Sequence, residues 1–174
     1  MLKIIMIYDQ IQSGTGTKDD HMVPLGLLKN AVGPAIMMQN TLAENDEKVL
    51  ACLYCGDGYY AKEPDVVVRK LVGMVKKIGV DGVICGPCFN YIGYGRMAAH
   101  VAHELAKAGI PAVVGMSPEN EDTIKKYKND IYIVKTPKKG DIGLDRSLQG
   151  MCEIIRALND NKDITALKKL YCYE

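Results

Sequence analysis

From Gly79 to Met116 the chain runs Gly-Val-Asp-Gly-Val-Ile, then Cys85-Gly86-Pro87-Cys88-Phe89-Asn90 and Tyr94-Gly95-Arg96, and after a helical run reaches Gly109-Ile110-Pro111 and Ala112–Met116. A short apolar strand feeds a Gly-rich turn, the turn opens a helix, and the helix returns to a second strand. This is a βαβ unit. Few folds accept one, because its parallel strands are covered on both faces and its crossover is right-handed. Ligand-binding groups in such folds gather outside the carboxyl ends of the strands. Here that turn carries two thiols, an amide, tyrosines and an arginine.

The same alternation runs through the rest of the chain. Val-, Ile- and Leu-rich segments predict strands at Lys3–Tyr8, Lys48–Leu53, Gly82–Ile84, Ala112–Val114 and Ile131–Val134. Amphipathic periodicity predicts helices over Gly33–Glu44, Asp65–Ile78, Tyr94–Ala108, Glu121–Lys126 and Gly143–Leu158. In the second of these Val67, Leu71, Met74, Val75 and Ile78 share one face, and Gly79 stands at the C-cap. The expected fold is α/β: a three-layer, doubly wound, mainly parallel five-stranded sheet of flavodoxin- or Rossmann-like type. At 174 residues it is expected to be one domain, 1–174, with the tail at 160–174 available to reach a partner. The stretch from Gln10 to Asn30 has no period and is long for a connection, which marks it as functional or mobile.

Composition excludes several classes. A net charge of +1 supplies no field to attract nucleic acid or an anionic membrane. No apolar run approaches the roughly 20 residues of a membrane span, and the N-terminus reads as a strand rather than a signal peptide. A cytoplasmic protein is expected. Six cysteines in that setting predict free thiols, a redox pair or metal ligands rather than a disulfide framework. The chain has 10 tyrosines, one phenylalanine and no tryptophan, so its aromatic packing carries hydroxyls.

A doubly wound sheet would bring together Tyr8-Asp9-Gln10, Cys55-Gly56-Asp57 and Cys85–Cys88. Cys85 and Cys88 have the spacing of a dithiol redox motif, with Phe89–Gly93 between them and the helix; the other reading is a pair of thiols lining a pocket. Cys52 and Cys55 lie on opposite faces of a strand, so they do not chelate one metal together, and no metal site is expected. His100 and His103 read as a solvated helix face. His21, beside Asp19 and Asp20, has the chemistry of an acid or base near neutral pH, but a loop histidine alone assigns nothing. Ser13–Thr17 and Gly56-Asp57-Gly58 offer backbone N–H groups to an anion without forming a nucleotide motif.

Several blocks in order resemble the N-terminal half of the selenoprotein subunit of component B of glycine, sarcosine and betaine reductases. They are Ile7-Tyr8-Asp9-Gln10 with Gly14 and Gly16, Val32-Gly33-Pro34, Cys55-Gly56-Asp57-Gly58-Tyr59-Tyr60, and Gly86-Pro87-Cys88-Phe89-Asn90 with Tyr94-Gly95. Gly109-Ile110-Pro111 to Gly115-Met116, Glu119-Asn120 and Asp130–Val134 continue the set, which spans Lys3 to Leu158. The resemblance implies reductive C–N cleavage of small amine-carboxylates in a cytosolic multi-subunit complex of anaerobes. It implies a pyruvoyl group on a partner subunit, no cofactor in this chain, and other component B subunits as partners, one bearing selenocysteine or cysteine. The family's selenocysteine lies in its C-terminal half, past the matching blocks, so no residue here takes that role. Cys85 and Cys88 stand where the family usually has small residues.

Three readings follow. In the first, the chain is a component B subunit or stand-alone relative, with Asp9, Gln10, Cys55, Asp57, Asn90 and Tyr94 around the substrate and Arg96 paired with its carboxylate. In the second, it is a small oxidoreductase with Cys85 and Cys88 as catalytic dithiol. The third is a non-catalytic small-molecule-binding or scaffold protein.

Overall fold

Ile4, Ile5, Met6 and Ile7 are all without solvent exposure, which requires a strand covered on both faces. A computed structural model, describing residues 1–174, shows how this is done. In chain order the elements are β1 (Leu2–Tyr8), β2 (Gly26–Leu28), α1 (Pro34–Met37), α2 (Gln39–Glu44), β3 (Glu47–Tyr54), α3 (Asp57–Lys62) and α4 (Pro64–Ile78). There follow β4 (Gly82–Cys85), α5 (Ile92–Lys107), β5 (Ala112–Met116), α6 (Glu121–Tyr127), β6 (Ile133–Lys135), α7 (Leu144–Asn159) and α8 (Thr165–Tyr171). The sheet order is β2-β3-β1-β4-β5-β6, parallel except for β2. Helices α3, α4, α5 and α6 pack together on one face; α2, α7 and α8 take the other.

The fold is the three-layer α/β arrangement expected, with six strands rather than five. The added strand is β2, which pairs antiparallel with the end of β3. Three residues are too few for alternation to register, and Pro24 stands just before them. Gly26 is needed there, because a Cβ would sit 2.6 Å from the Tyr54 ring carbon that bears the hydroxyl. The predicted first helix is broken at Met38, whose side chain is buried between α1 and α2. Helix α4 ends as predicted on Gly79, with φ +71°. Residues 160–174 form the turn and α8, which packs on α7, and Cys172 bridges to Val134. No helix is long and apolar enough to cross a membrane.

Register positions the chemistry. Tyr8 pairs with Tyr54, and Ile7 pairs with Cys85, so β1, β3 and β4 end almost level. Among the parallel strands, the sheet grows from β1 in both directions, first to β3 and then to β4. The switch point therefore lies between β1 and β4, the place where open α/β sheets form a crevice.

At the opposite edge, Glu47 is buried with neither carboxylate oxygen accepting an N–H or O–H; the weakly donating Cys152 thiol is beside it. Burial pushes its pKa up from 4.5 to about 8, offset in part by Cys152 and Arg156. The folded state thus binds a proton that the unfolded chain has released, and stability falls as pH rises from about 4.5 through about 8. Glu47→Gln should flatten that fall and stabilise the protein at pH 9 by about 1–3 kcal/mol, the usual cost of an unsatisfied buried polar group. Urea unfolding of both forms across this pH range is the measurement.

Candidate functional site

The loops after β1, β3 and β4 meet. The Cys55 N–H donates to the Tyr8 carbonyl at 3.1 Å. Gln10 clasps Asp57: its Nε2 donates to Oδ1 at 3.3 Å, and its Oε1 accepts from the Asp57 N–H at 3.1 Å. From the other side, the buried Tyr94 hydroxyl donates to the Ile7 carbonyl at 2.6 Å. The Cys88 N–H donates to Gly115 at 2.7 Å, which ties the third loop to β5.

Most of the predicted residues form the floor of this edge rather than its surface. Asp9 is fully buried; Oδ1 accepts from the Gln12 N–H at 2.7 Å, while Oδ2 has no partner. Burial pushes its pKa up to about 6; the Gln12 N–H opposes the rise and Asp57 adds to it. Cys55, Cys85 and Cys88 are free and buried. Burial raises Cys55 to about 12 and pushes Cys85 and Cys88 up as well. The Cys88 thiol points back at the Cys85 carbonyl, 3.7 Å away. Such thiols stay protonated, and the arrangement supplies no exposed thiolate. Tyr94 has its hydroxyl committed to β1. Asn90 is exposed at the mouth of the edge, whereas Arg96 lies further along α5, where its carbonyl accepts from the Tyr60 hydroxyl at 3.5 Å. Arg96 is therefore set apart from the floor. No three His, Cys, Asp or Glu side chains gather to hold a metal ion.

Two surface features stand over this floor. One is a cleft of about 500 Å³ between the loops after β1, β4 and β6, lined in part by Gln12, Asn90, Lys18, Lys138 and Lys139. Its wall is stiffened at Phe89, which adopts φ +52° and whose carbonyl accepts from Ser117 Oγ at 2.9 Å and Asn120 Nδ2 at 2.8 Å. None of the three cleft lysines is in an ion pair. The other feature is His21, whose Nδ1 lies 2.7 Å from Asp57 Oδ1. A larger groove of about 730 Å³ runs between α4 and α5, away from the strand ends and with both signs of charge on its rims. Sequence reasoning missed the lysines and the partner of His21. Pro137-Lys138-Lys139-Gly140, a basic turn just after a strand, was the available signal for the first. For the second there was none, since 36 residues separate His21 from Asp57.

The model of the glycine/sarcosine/betaine reductase selenoprotein B family matches residues 1–173. The chain belongs to this family. Among curated relatives it is similar to the sarcosine reductase complex component B subunit beta of Peptoclostridium acidaminophilum, 31% identical over 136 residues, covering 78% of this chain and 31% of that one. It is also similar to the glycine reductase complex component B subunit gamma of Carboxydothermus hydrogenoformans, 33% identical over 124 residues, 71% of this chain and 28% of that one. The gamma subunit of P. acidaminophilum is 28% identical over 138 residues. The chain spans about a third of the length of these reductase subunits.

Within this selenoprotein B fold, the burial of all six cysteines has a direct consequence. A colorimetric disulfide reagent should titrate fewer than one thiol per native chain within minutes, and six after unfolding in guanidinium. Fast native reaction of two thiols would instead point to Cys85 and Cys88 as an accessible dithiol.

Proposed function

We propose that this chain works as a component B-type subunit of a reductase complex that cleaves a C–N bond in a small amine-carboxylate, and that it seats the substrate's carboxylate. The observation that carries the reading is the cleft at the switch point, where Lys18, Lys138 and Lys139 stand unpaired beside the amides of Gln12 and Asn90. An ammonium group donates charge-assisted hydrogen bonds to a carboxylate, and the neighbouring amides fix its orientation. Membership of the selenoprotein B family supports the reaction class, and the names of the relatives support a complex.

In this reading the carboxylate partner is the lysine cluster and not Arg96, which lies on the α5 flank beside Tyr60. The buried floor of Asp9, Gln10, Cys55, Cys85, Cys88 and Tyr94 holds the loops in place beneath. The nucleophile, a selenocysteine or cysteine, and the pyruvoyl group that engages the amine lie outside residues 1–174, elsewhere in the complex. The donors at the cleft, ammonium groups and amides, suit the carbonyl oxygen of such a group as well as a carboxylate. A pyruvoyl carbonyl would supply covalent capture of the amine; the residues here bind and orient.

Hydrogen bonds to charged groups contribute about 1.5–3 kcal/mol each. Replacing both Lys138 and Lys139 by alanine should therefore weaken sarcosine binding to the isolated complex at least about tenfold, read by calorimetry. Dimethylamine, which lacks the carboxylate, should bind far more weakly than sarcosine. Equal binding of the two amines, or unchanged affinity in the double variant, would overturn the reading.

A further inference from the structure

His21 and Asp57 are brought together by backbone bonds and close glycine contacts between the aperiodic segment and α3. The Gly58 and Tyr59 N–H groups both donate to the His21 carbonyl at 2.9 Å, and the Gly56 N–H donates to Val23 at 2.8 Å. These bonds button the aperiodic segment onto the first turn of α3. The glycines make the close approach possible: a Cβ on Gly58 would lie 2.7 Å from the His21 Cβ, and one on Gly56 would lie 2.7 Å from the Val23 nitrogen. On the far side, a Cβ on Gly93 would lie 3.0 Å from the Asp57 Cβ. Gly56-Asp57-Gly58 is thus better read as clearance for a histidine than as an anion cradle.

Asp57 Oδ1 accepts from three directions: Gly58 N–H at 2.8 Å, Gln10 Nε2 at 3.3 Å and His21 Nδ1 at 2.7 Å. An oxygen so used is an acceptor, which places the histidine proton on Nδ1 and leaves Nε2 as the working atom. The imidazole is about half exposed and the carboxylate is largely covered. This is the relation of an exchanging group to the group that orients it. The charged groups facing His21 are Asp57, Asp19 and Asp20, all acidic. The hydrogen bond to Asp57, then its charge, raise the pKa of His21 above 6.5. The imidazolium therefore persists to higher pH than in a free histidine, and a step that needs it is lost as pH rises through the raised value.

The pair and the lysine cleft lie on either side of one short segment, because Asn90 and Tyr91 line the cleft while Gly93 touches Asp57. We propose that His21 and Asp57 form an acid–base pair in which His21 Nε2 gives a proton to the nitrogen leaving a substrate carbon at this edge. The inference rests on the function proposed above. A selenolate or thiolate supplied from elsewhere in the complex forms the new bond to carbon. The C–N bond breaks with its electron pair going to nitrogen, and nitrogen takes the proton from the imidazolium, which becomes neutral imidazole. His21 is the proton donor, Asp57 orients it, and Gln10 positions Asp57.

The test has two parts. Nitrogen-15 NMR of the labelled chain should show neutral His21 protonated on Nδ1, and Asp57→Asn should lower its pKa and mix the tautomers. In the complex, with sarcosine as substrate, His21→Gln should lower turnover about 10²–10⁴-fold, with calorimetric affinity unchanged. Asp57→Asn should shift the alkaline limb of the pH–rate profile to lower pH. A neutral His21 protonated on Nε2, a titration indifferent to Asp57→Asn, or full turnover by His21→Gln would overturn the proposal. Loss of the lysine effect on binding with the His21 signature intact would instead overturn the seat for the carboxylate.

Discussion

Strand β1 is the member on which both halves of the carboxyl edge are built. It pairs with β3 on one side and β4 on the other, and every residue from Ile4 to Gln10 is buried. Its last two carbonyls are bonded outward, Tyr8 to the Cys55 N–H and Ile7 to the Tyr94 hydroxyl. The Tyr8 hydroxyl donates to the Val32 carbonyl at 3.0 Å and accepts from the Ala35 N–H at 2.8 Å, holding the entry to α1. A slip of one residue would send each side chain to the opposite face and break all of these bonds at once. The relative positions of the three loops therefore follow from the register of a single strand.

That dependence explains what could be read from the chain and what could not. The strands and long helices have strong periods, so Val67 to Ile78, Met97 to Leu105 and the Ile-rich β1 reveal their faces without tertiary information. Convergence of Asp9, Cys55 and Cys85 followed from topology alone, since strand ends in a doubly wound sheet share an edge. The short pieces β2, α3 and α8 have three to seven residues each and show no usable period. Direction was the harder matter. Asp9, Cys85, Cys88 and Tyr94 look chemically eager on paper, yet their place just past strand ends turns them inward. Arg96 falls two residues past Tyr94, on the opposite side of α5, where its carbonyl meets the Tyr60 hydroxyl.

The burial of the thiols follows from the same packing. Cys85 completes β4 and Cys88 folds back over it, so both occupy positions that any compact apolar side chain could fill. Their presence beside Asp9 and Tyr94 costs little because neutral thiols demand no strong hydrogen bond. Burial is the main barrier to ionising Cys88, and the neighbouring Cys85 and then Asp9 add to it. Burial thus keeps sulfur protonated in the floor, and exchangeable protons are left to the surface groups above it.

Those surface groups lean to opposite signs at the two features, although Asp141 also lines the lysine cleft, and the overall charge conceals this. Lys18, Lys138 and Lys139 face the cleft; Asp57, Asp19 and Asp20 stand around His21, with Asp9 beneath. Asp20 Oδ2 accepts from the Thr17 N–H at 2.6 Å. Summed over the chain these charges nearly cancel, leaving +1, so composition alone signals no ligand. Locally they form a field with a positive and a negative end separated by the Asn90–Gly93 turn. In the proposed function the lysines hold the substrate's carboxylate, which leaves its nitrogen on the other side of that turn. That is the side on which His21 stands, so under the proposed function the two surface features act on the two ends of one small molecule.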